Sequence, residues 1–232
     1  MAEDEGREIY QLHVLLLKIS PAIWRRVLVP SDQNLADLHH ILQIVMGWDD
    51  THLHRFLIHG KIHGISREGG IWFRSDPKEI PLSDLHLRLK ERFLYEYDVA
   101  AHWQHQIRLE KILPFSSSKT ALRCIGGARQ APPEGCNGPL AYLEQQQYYS
   151  LGHIERRLLE IVEYEEERVG AYQEEVATML LWLQHAETFN RSAVNARLAL
   201  FAAGDPRWRE MVVTTEKGTV PHENDAASGD RR

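Results

Sequence analysis

Two closely spaced extended segments, followed at once by a capped helix, constrain this chain most. Tyr10 to Ile19 is apolar on both alternating faces, with Leu12, Val14 and Leu16 on one and Leu15, Leu17 and Ile19 on the other. That is the pattern of a strand buried on both sides or nearly so. Ser20-Pro21 interrupts it. Ile23 to Val29 then alternates, with Ile23, Val27 and Val29 on one face against Trp24, Arg26 and Leu28 on the other, and Pro30 ends it. Two strands joined this tightly imply an antiparallel hairpin. Asn34 suits a helix N-cap, and Asp37, at the third helical position, suits the positive end of the helix dipole. Leu35, Leu38, Leu42 and Val45 recur at helical spacing, and Gly47 is a natural stop.

The remaining elements read less sharply. His52 to His59 reads as a third strand, and Lys61 to Gly70 as a turn-rich stretch. Pro81 to Leu89 reads as a short turn or helix. Arg92 to Asp98 carries Phe93, Tyr95 and Tyr97 on one strand face. Trp103 to Leu113 sets Trp103, His105, Ile107 and Leu109 against Gln104, Gln106, Arg108 and Glu110, as in a half-solvated strand. Pro114 to Pro139 is rich in Ser, Gly and Pro and is expected to be a long covering loop. From Leu140 the pattern is helical. Ile154, Leu158, Ile161 and Val162, then Val169, Tyr172, Val176, Met179 and Leu183, predict one long helix or two broken near Gly170. A last helix is expected over Ser192 to Phe201. The expected fold class is therefore α+β: an antiparallel β-sheet of about five strands, the Leu35–Met46 helix on one face, and additional C-terminal helices. The division follows: 1–8 a disordered N-terminus, 9–203 the domain with its helical part at 140–201, and 204–232 a disordered tail.

At 232 residues and 43% hydrophobic content, one such domain needs neither disulfide nor metal to close its core. The net charge of -6 argues against a broad phosphate-binding surface, so a nucleic-acid partner is not expected. Cys124 and Cys136 are the two cysteines, too few for a disulfide scaffold and suited to a reducing compartment. The polar start at Met1 to Glu8 lacks a signal-type apolar core, and no apolar run approaches bilayer length. A cytoplasmic location and no membrane contact are expected.

Several multi-residue motifs now stand in order. Tyr10-Gln-Leu-His-Val, Pro21-Ala-Ile-Trp-Arg-Arg-Val, Leu35 to Trp48 and His52-Leu-His-Arg-Phe56 form a first block. Tyr95-Glu-Tyr-Asp98, Trp103-Gln-His105 and Leu109-Glu-Lys-Ile-Leu-Pro114 form a second, and Arg123-Cys-Ile-Gly-Gly127 with Pro132-Pro-Glu-Gly-Cys136-Asn-Gly-Pro139 a third. With Val194-Asn-Ala-Arg-Leu198, this order resembles the plasmid pRiA4b ORF-3-like family over roughly residues 9 to 200. The resemblance implies an association with plasmids and mobile elements. Some members carry a resolvase-like label from transposon passenger genes. Three departures stand out. Ala100-Ala-His-Trp-Gln-His105 replaces a family stretch richer in carboxylates, Ala131 stands where a cysteine is usual before Pro132, and the stretch from Gln145 to Tyr172 is longer than usual.

Ten of the 13 histidines precede residue 114. His52 and His54 share a strand face with Phe56 and Ile58, and His105 shares one with Trp103 and Ile107. If these strands meet in one sheet, His52, His54, His105 and Asp98 would suffice for a divalent transition metal. The plainer reading makes them core histidines satisfied by hydrogen bonds, and it implies no cofactor. The wide spacing of Cys124 and Cys136 is a poor zinc pattern, and inert buried thiols are expected. Arg123, Gly126, Gly127 and Arg129 suit either an anion-binding loop or a flexible cover. Serine recombination needs a nucleophilic serine among arginines and a basic DNA-binding module. None of Ser20, Ser31, Ser66, Ser75 or Ser83 has that setting.

The expected function is a non-enzymatic binding or accessory role linked to plasmid or mobile-element biology. The partner would be a protein or small ligand near Trp48, His52, His54, Asp98, Trp103 and His105. The first alternative is a metal-dependent hydrolase or nuclease with a His/Asp site, and the second a nucleic-acid-binding accessory factor. The C-terminal helical stripe suits internal packing first and a homodimer second.

Overall fold

A computed structural model describes residues 7–64, 76–115, 122–164, 173–186 and 188–210. The hairpin forms as its patterning requires, from β1 (Glu8–Leu16) and β2 (Trp24–Pro30), paired Tyr10↔Val29 through Leu15↔Trp24. The remaining strands are β3 (His54–Ile58), β4 (Lys61–Gly64), β5 (Arg92–Tyr97), β6 (Trp103–Pro114) and β7 (Arg123–Ala128). They make one sheet in the order β4-β3-β5-β6-β1-β2-β7, with every pairing antiparallel. The expected α+β class stands, with seven strands in place of about five.

The two strands that the sequence reading missed lie in its glycine-rich stretches. β4 occupies the start of the presumed turn region, and β7 crosses the presumed loop. Gly126 and Gly127 of β7 pair with Arg26 and Arg25, so this segment is neither a flexible cover nor an anion loop. Short glycine-containing edge strands carry almost no periodic signal, and their neighbours define them. One face of β1 is also less covered than its apolar pattern implies, because His13 and Leu15 are only half-buried.

The helix α1 (Leu35–Met46) begins and ends where its caps dictate. Asn34 Oδ1 accepts from the Asp37 N–H at 2.8 Å, and Asp37 Oδ2 accepts from the Asn34 N–H at 3.3 Å. Gly47 at φ 79° closes the other end through a bond from its N–H to Gln43 O. Replacing Asn34 by alanine is expected to cost about 1 kcal/mol, read as a lower urea midpoint at unchanged slope.

Ten of the twelve residues of α1 are buried, which requires cover on more than its sheet side. Below lie Leu12, Val14, Phe56, Tyr95 and Ile107 of the inward sheet face. Above lie α5 (Arg191–Ala202) and the short turn at Pro206–Arg209, whose Trp208 is buried. The tail expected to be disordered from Gly204 therefore starts with a folded, core-packing segment. Its remainder, from residue 211, lies outside the described residues. Three further helices are α2 (Pro139–Tyr148), α3 (Leu151–Tyr164) and α4 (Gln173–Ala186); the expected break near Gly170 lies outside the described residues. No helix among the described residues is long and apolar enough to cross a membrane.

Candidate functional site

Antiparallel register places the inward rings of β3, β5 and β6 in a row across the sheet: Phe56 opposite Tyr95, and Tyr95 opposite His105. One step along, His54 stands opposite Tyr97. Above this row, α1 turns His39 and Gln43 downward, four residues apart and hence on one helix face. The four polar groups then meet. His39 Nδ1 lies 2.8 Å from Tyr95 Oη, and Gln43 Nε2 donates to the same oxygen at 2.9 Å. The other nitrogen of His39, Nε2, lies 2.8 Å from Asp50 Oδ1. The Asp50 N–H donates to Gln43 Oε1 at 3.2 Å. One proton arrangement satisfies the ring: His39 Nε2–H donates to Asp50, and Tyr95 O–H donates to His39 Nδ1.

His54 joins this circuit by stacking on His39, with ring centroids 3.5 Å apart and planes 8° from parallel. His39, Asp50 and His54 each offer a donor atom within 4.8 Å of the other two. His39 and His54 are buried, whereas Asp50 reaches solvent. Burial raises the Asp50 pKa, but the His39 hydrogen bond and the electrostatic influence of the three surrounding imidazoles outweigh it and leave it lowered. Burial, then His39, holds the neighbouring His40 down at about 4, so it is neutral at pH 7. Burial also lifts the Tyr95 phenol well above its usual value, keeping it protonated.

The loop presenting Asp50 is held from outside. Asp50 takes φ 58°, a conformation that Asp tolerates better than most residues. Glu134 clamps its neighbours, accepting from the Asp49 N–H at 2.7 Å, the Thr51 N–H at 3.1 Å and the Thr51 hydroxyl at 2.7 Å. Its carboxylate also takes the Tyr97 hydroxyl. The Pro-Pro-Glu segment at 132–134 thus acts as a strap on the site loop. Further along that motif, Gly138 has φ +97°, and a Cβ there would lie 2.3 Å from Ala101 O. Only glycine fits, so this part of the motif is architectural.

The residues expected from the sequence fall in three places. Trp48, Trp103 and His105 are 2%, 0% and 0% exposed and pack on one another in the closed core, so they line no open pocket. Trp48 stacks on Tyr97 and donates its indole N–H to Pro132 O at 2.8 Å. His52 lies outside, its Nδ1 3.7 Å from Asp98 Oδ2, while Asp98 Oδ1 caps the turn at Ala100 and Ala101. Of the expected metal quartet, His54 alone joins the three-donor cluster. Among the described residues, that cluster is the one group with metal-binding spacing. His39 and Asp50 went unremarked as site residues. For His39 the sequence signal was the polar group His39, His40 and Gln43 on an otherwise apolar helix; Asp50 had none. Both cysteines are free and buried, as expected, with burial pushing Cys136 to about 11.

An antiparallel α+β fold enclosing a histidine–carboxylate cluster under its first helix is the class that these features define. The chain matches the family described as Plasmid pRiA4b ORF-3-like protein over residues 8–197, and it belongs to that family. It is 30% identical over 137 residues to "Uncharacterized protein y4hQ" of Sinorhizobium fredii (strain NBRC 101917 / NGR234), covering 59% of this chain and 70% of that protein. The crystal structure of a protein of unknown function, MM3350 from Methanosarcina mazei Go1, is similar at 32% identity and TM-score 0.57, covering 80% of this chain and 96% of that one.

Proposed function

We propose that this protein binds one divalent transition-metal ion at His39, Asp50 and His54. The observation that carries the reading is the convergence of two neutral-capable imidazoles and one carboxylate within 4.8 Å. Two nitrogens and one oxygen suit zinc, iron, nickel or cobalt better than magnesium or calcium, which favour all-oxygen shells. With a metal on His39 Nε2, the ring proton would sit instead on Nδ1 and donate to Tyr95 Oη, the outer partner that orients the imidazole. A binding or accessory role, as the family's association with plasmids and mobile elements invites, fits a site built into the core. The two buried thiols suit a cytoplasmic setting. A homodimer through the C-terminal helices is the partner we would test first, since Leu159, Val162 and Leu180 are 62%, 73% and 51% exposed.

Metal analysis and calorimetric titration of the purified chain test the reading. About one equivalent of zinc or cobalt is expected to bind, and metal at 100 times its Kd should raise stability by about 2.7 kcal/mol. His54→Ala should abolish both effects while His52→Ala leaves them intact. Metal-free protein that takes up no ion, or equal binding by the His54 variant, would overturn the proposal.

A further inference from the structure

The proposed site leaves one neighbouring group unexplained. His40 Nδ1 is shielded from solvent and has no hydrogen-bond partner among the described residues. A buried polar atom in that state calls for a reason, often a water or ion. It faces the same carboxylate as His39 does: Nδ1 stands 3.8 Å from Asp50 Oδ2, while His39 Nε2 takes Oδ1 at 2.8 Å. Consecutive residues of one helix thus flank the two oxygens of Asp50, with ring centroids 5.0 Å apart.

We infer that His40 is a fourth ligand, closing the site into a three-histidine, one-carboxylate shell around a divalent transition ion. This rests on the metal reading above. Donors around a tetrahedral ion with bonds of 2.0–2.1 Å stand about 3.3 Å apart. His40 Nδ1 stands 3.8 Å from Asp50 Oδ2, near that value, but His40 is outside the group of His39, Asp50 and His54 whose donors share the 4.8 Å spacing, so the imidazole has to turn inward when an ion binds. The ring is held for the purpose, lying against Trp208 at 5.2 Å and Phe201 at 6.1 Å. Trp208, in the turn after α5, thus packs on the His40 side of the proposed site. A full set of four protein ligands leaves no open position for water or substrate, which is the mark of a structural or sensing ion and not of a hydrolytic one.

Cobalt titration of the whole protein decides it. Wild type should develop the intense visible bands of four-coordinate cobalt. His40→Ala should bind at least about 100-fold more weakly, beyond the 10–100-fold typical of outer-shell partners, and show the weak bands of higher coordination. His40→Gln, which keeps the packing against Trp208, should fail likewise, and circular dichroism of the metal-free forms checks that both variants fold. Wild-type protein that takes no cobalt refutes the site and this inference together. Tight binding with an unchanged spectrum in both variants refutes the fourth ligand alone.

Discussion

Replacing Arg25 by alanine is expected to destabilise the protein by about 3 kcal/mol, or roughly 6–12 °C in Tm. Arg25 is 1% exposed, and its guanidinium donates to three backbone carbonyls: Val45 at 2.7 Å, Trp24 at 2.8 Å and Ala128 at 2.9 Å. Val45 O belongs to the last turn of α1, where carbonyls lack helical partners. One side chain thus ties β2 and β7 to the end of the helix that carries His39. The Phe189 ring lies 3.9 Å from the guanidinium carbon, and a Cβ on Gly127 would meet that ring at 2.5 Å. Burial lowers the Arg25 pKa to about 10, which still leaves it charged at pH 7. Arg25→Lys should recover little, because an ammonium on a flexible stem does not reproduce the planar fork. Urea unfolding with an unchanged slope measures the loss, and a midpoint equal to wild type would contradict this account.

Acid should unfold the protein in part through His105. The residue is fully buried against Trp48 and Tyr95. Burial drives its pKa from 6.5 to about 3; the Tyr95 and Trp103 backbone opposes this and Arg25 reinforces it. The folded pKa is depressed, so the unfolded chain takes up the proton first. The neutral ring's contribution is complete above pH 6.5 and is lost progressively as pH falls toward 3. The cost by pH 4 is about 3 kcal/mol, from roughly 1.4 kcal/mol per pH unit. His105→Leu removes the titrating group and should flatten the acid limb of stability against pH between 7 and 4. An unchanged limb would assign the acid sensitivity elsewhere.

Much of the scaffold was legible because its code is local. Asn34, Asp37 and Gly47 marked both ends of α1 to the residue, since a cap acts within one turn. Phe93, Tyr95 and Tyr97 announced the inward face of β5 by alternation alone. β4 and β7 were not legible, because four to six residues with glycine acquire strand character from the neighbour that pairs with them.

The sequence by itself determined strands β1, β2, β3, β5 and β6 and the first helix, which face of each turns inward, and the family to which the chain belongs. Only the tertiary structure decided which inward polar groups meet. His54 was a visible candidate, but its partners come from a helix and a loop, brought over the sheet by register and by the Glu134 strap. His105 and His52 looked equivalent to it on paper, yet one lies deep among tryptophans and the other at the surface. Alternation sets a side chain's direction from its own backbone, whereas convergence depends on how separate elements are packed together, and spacing along the chain does not encode that.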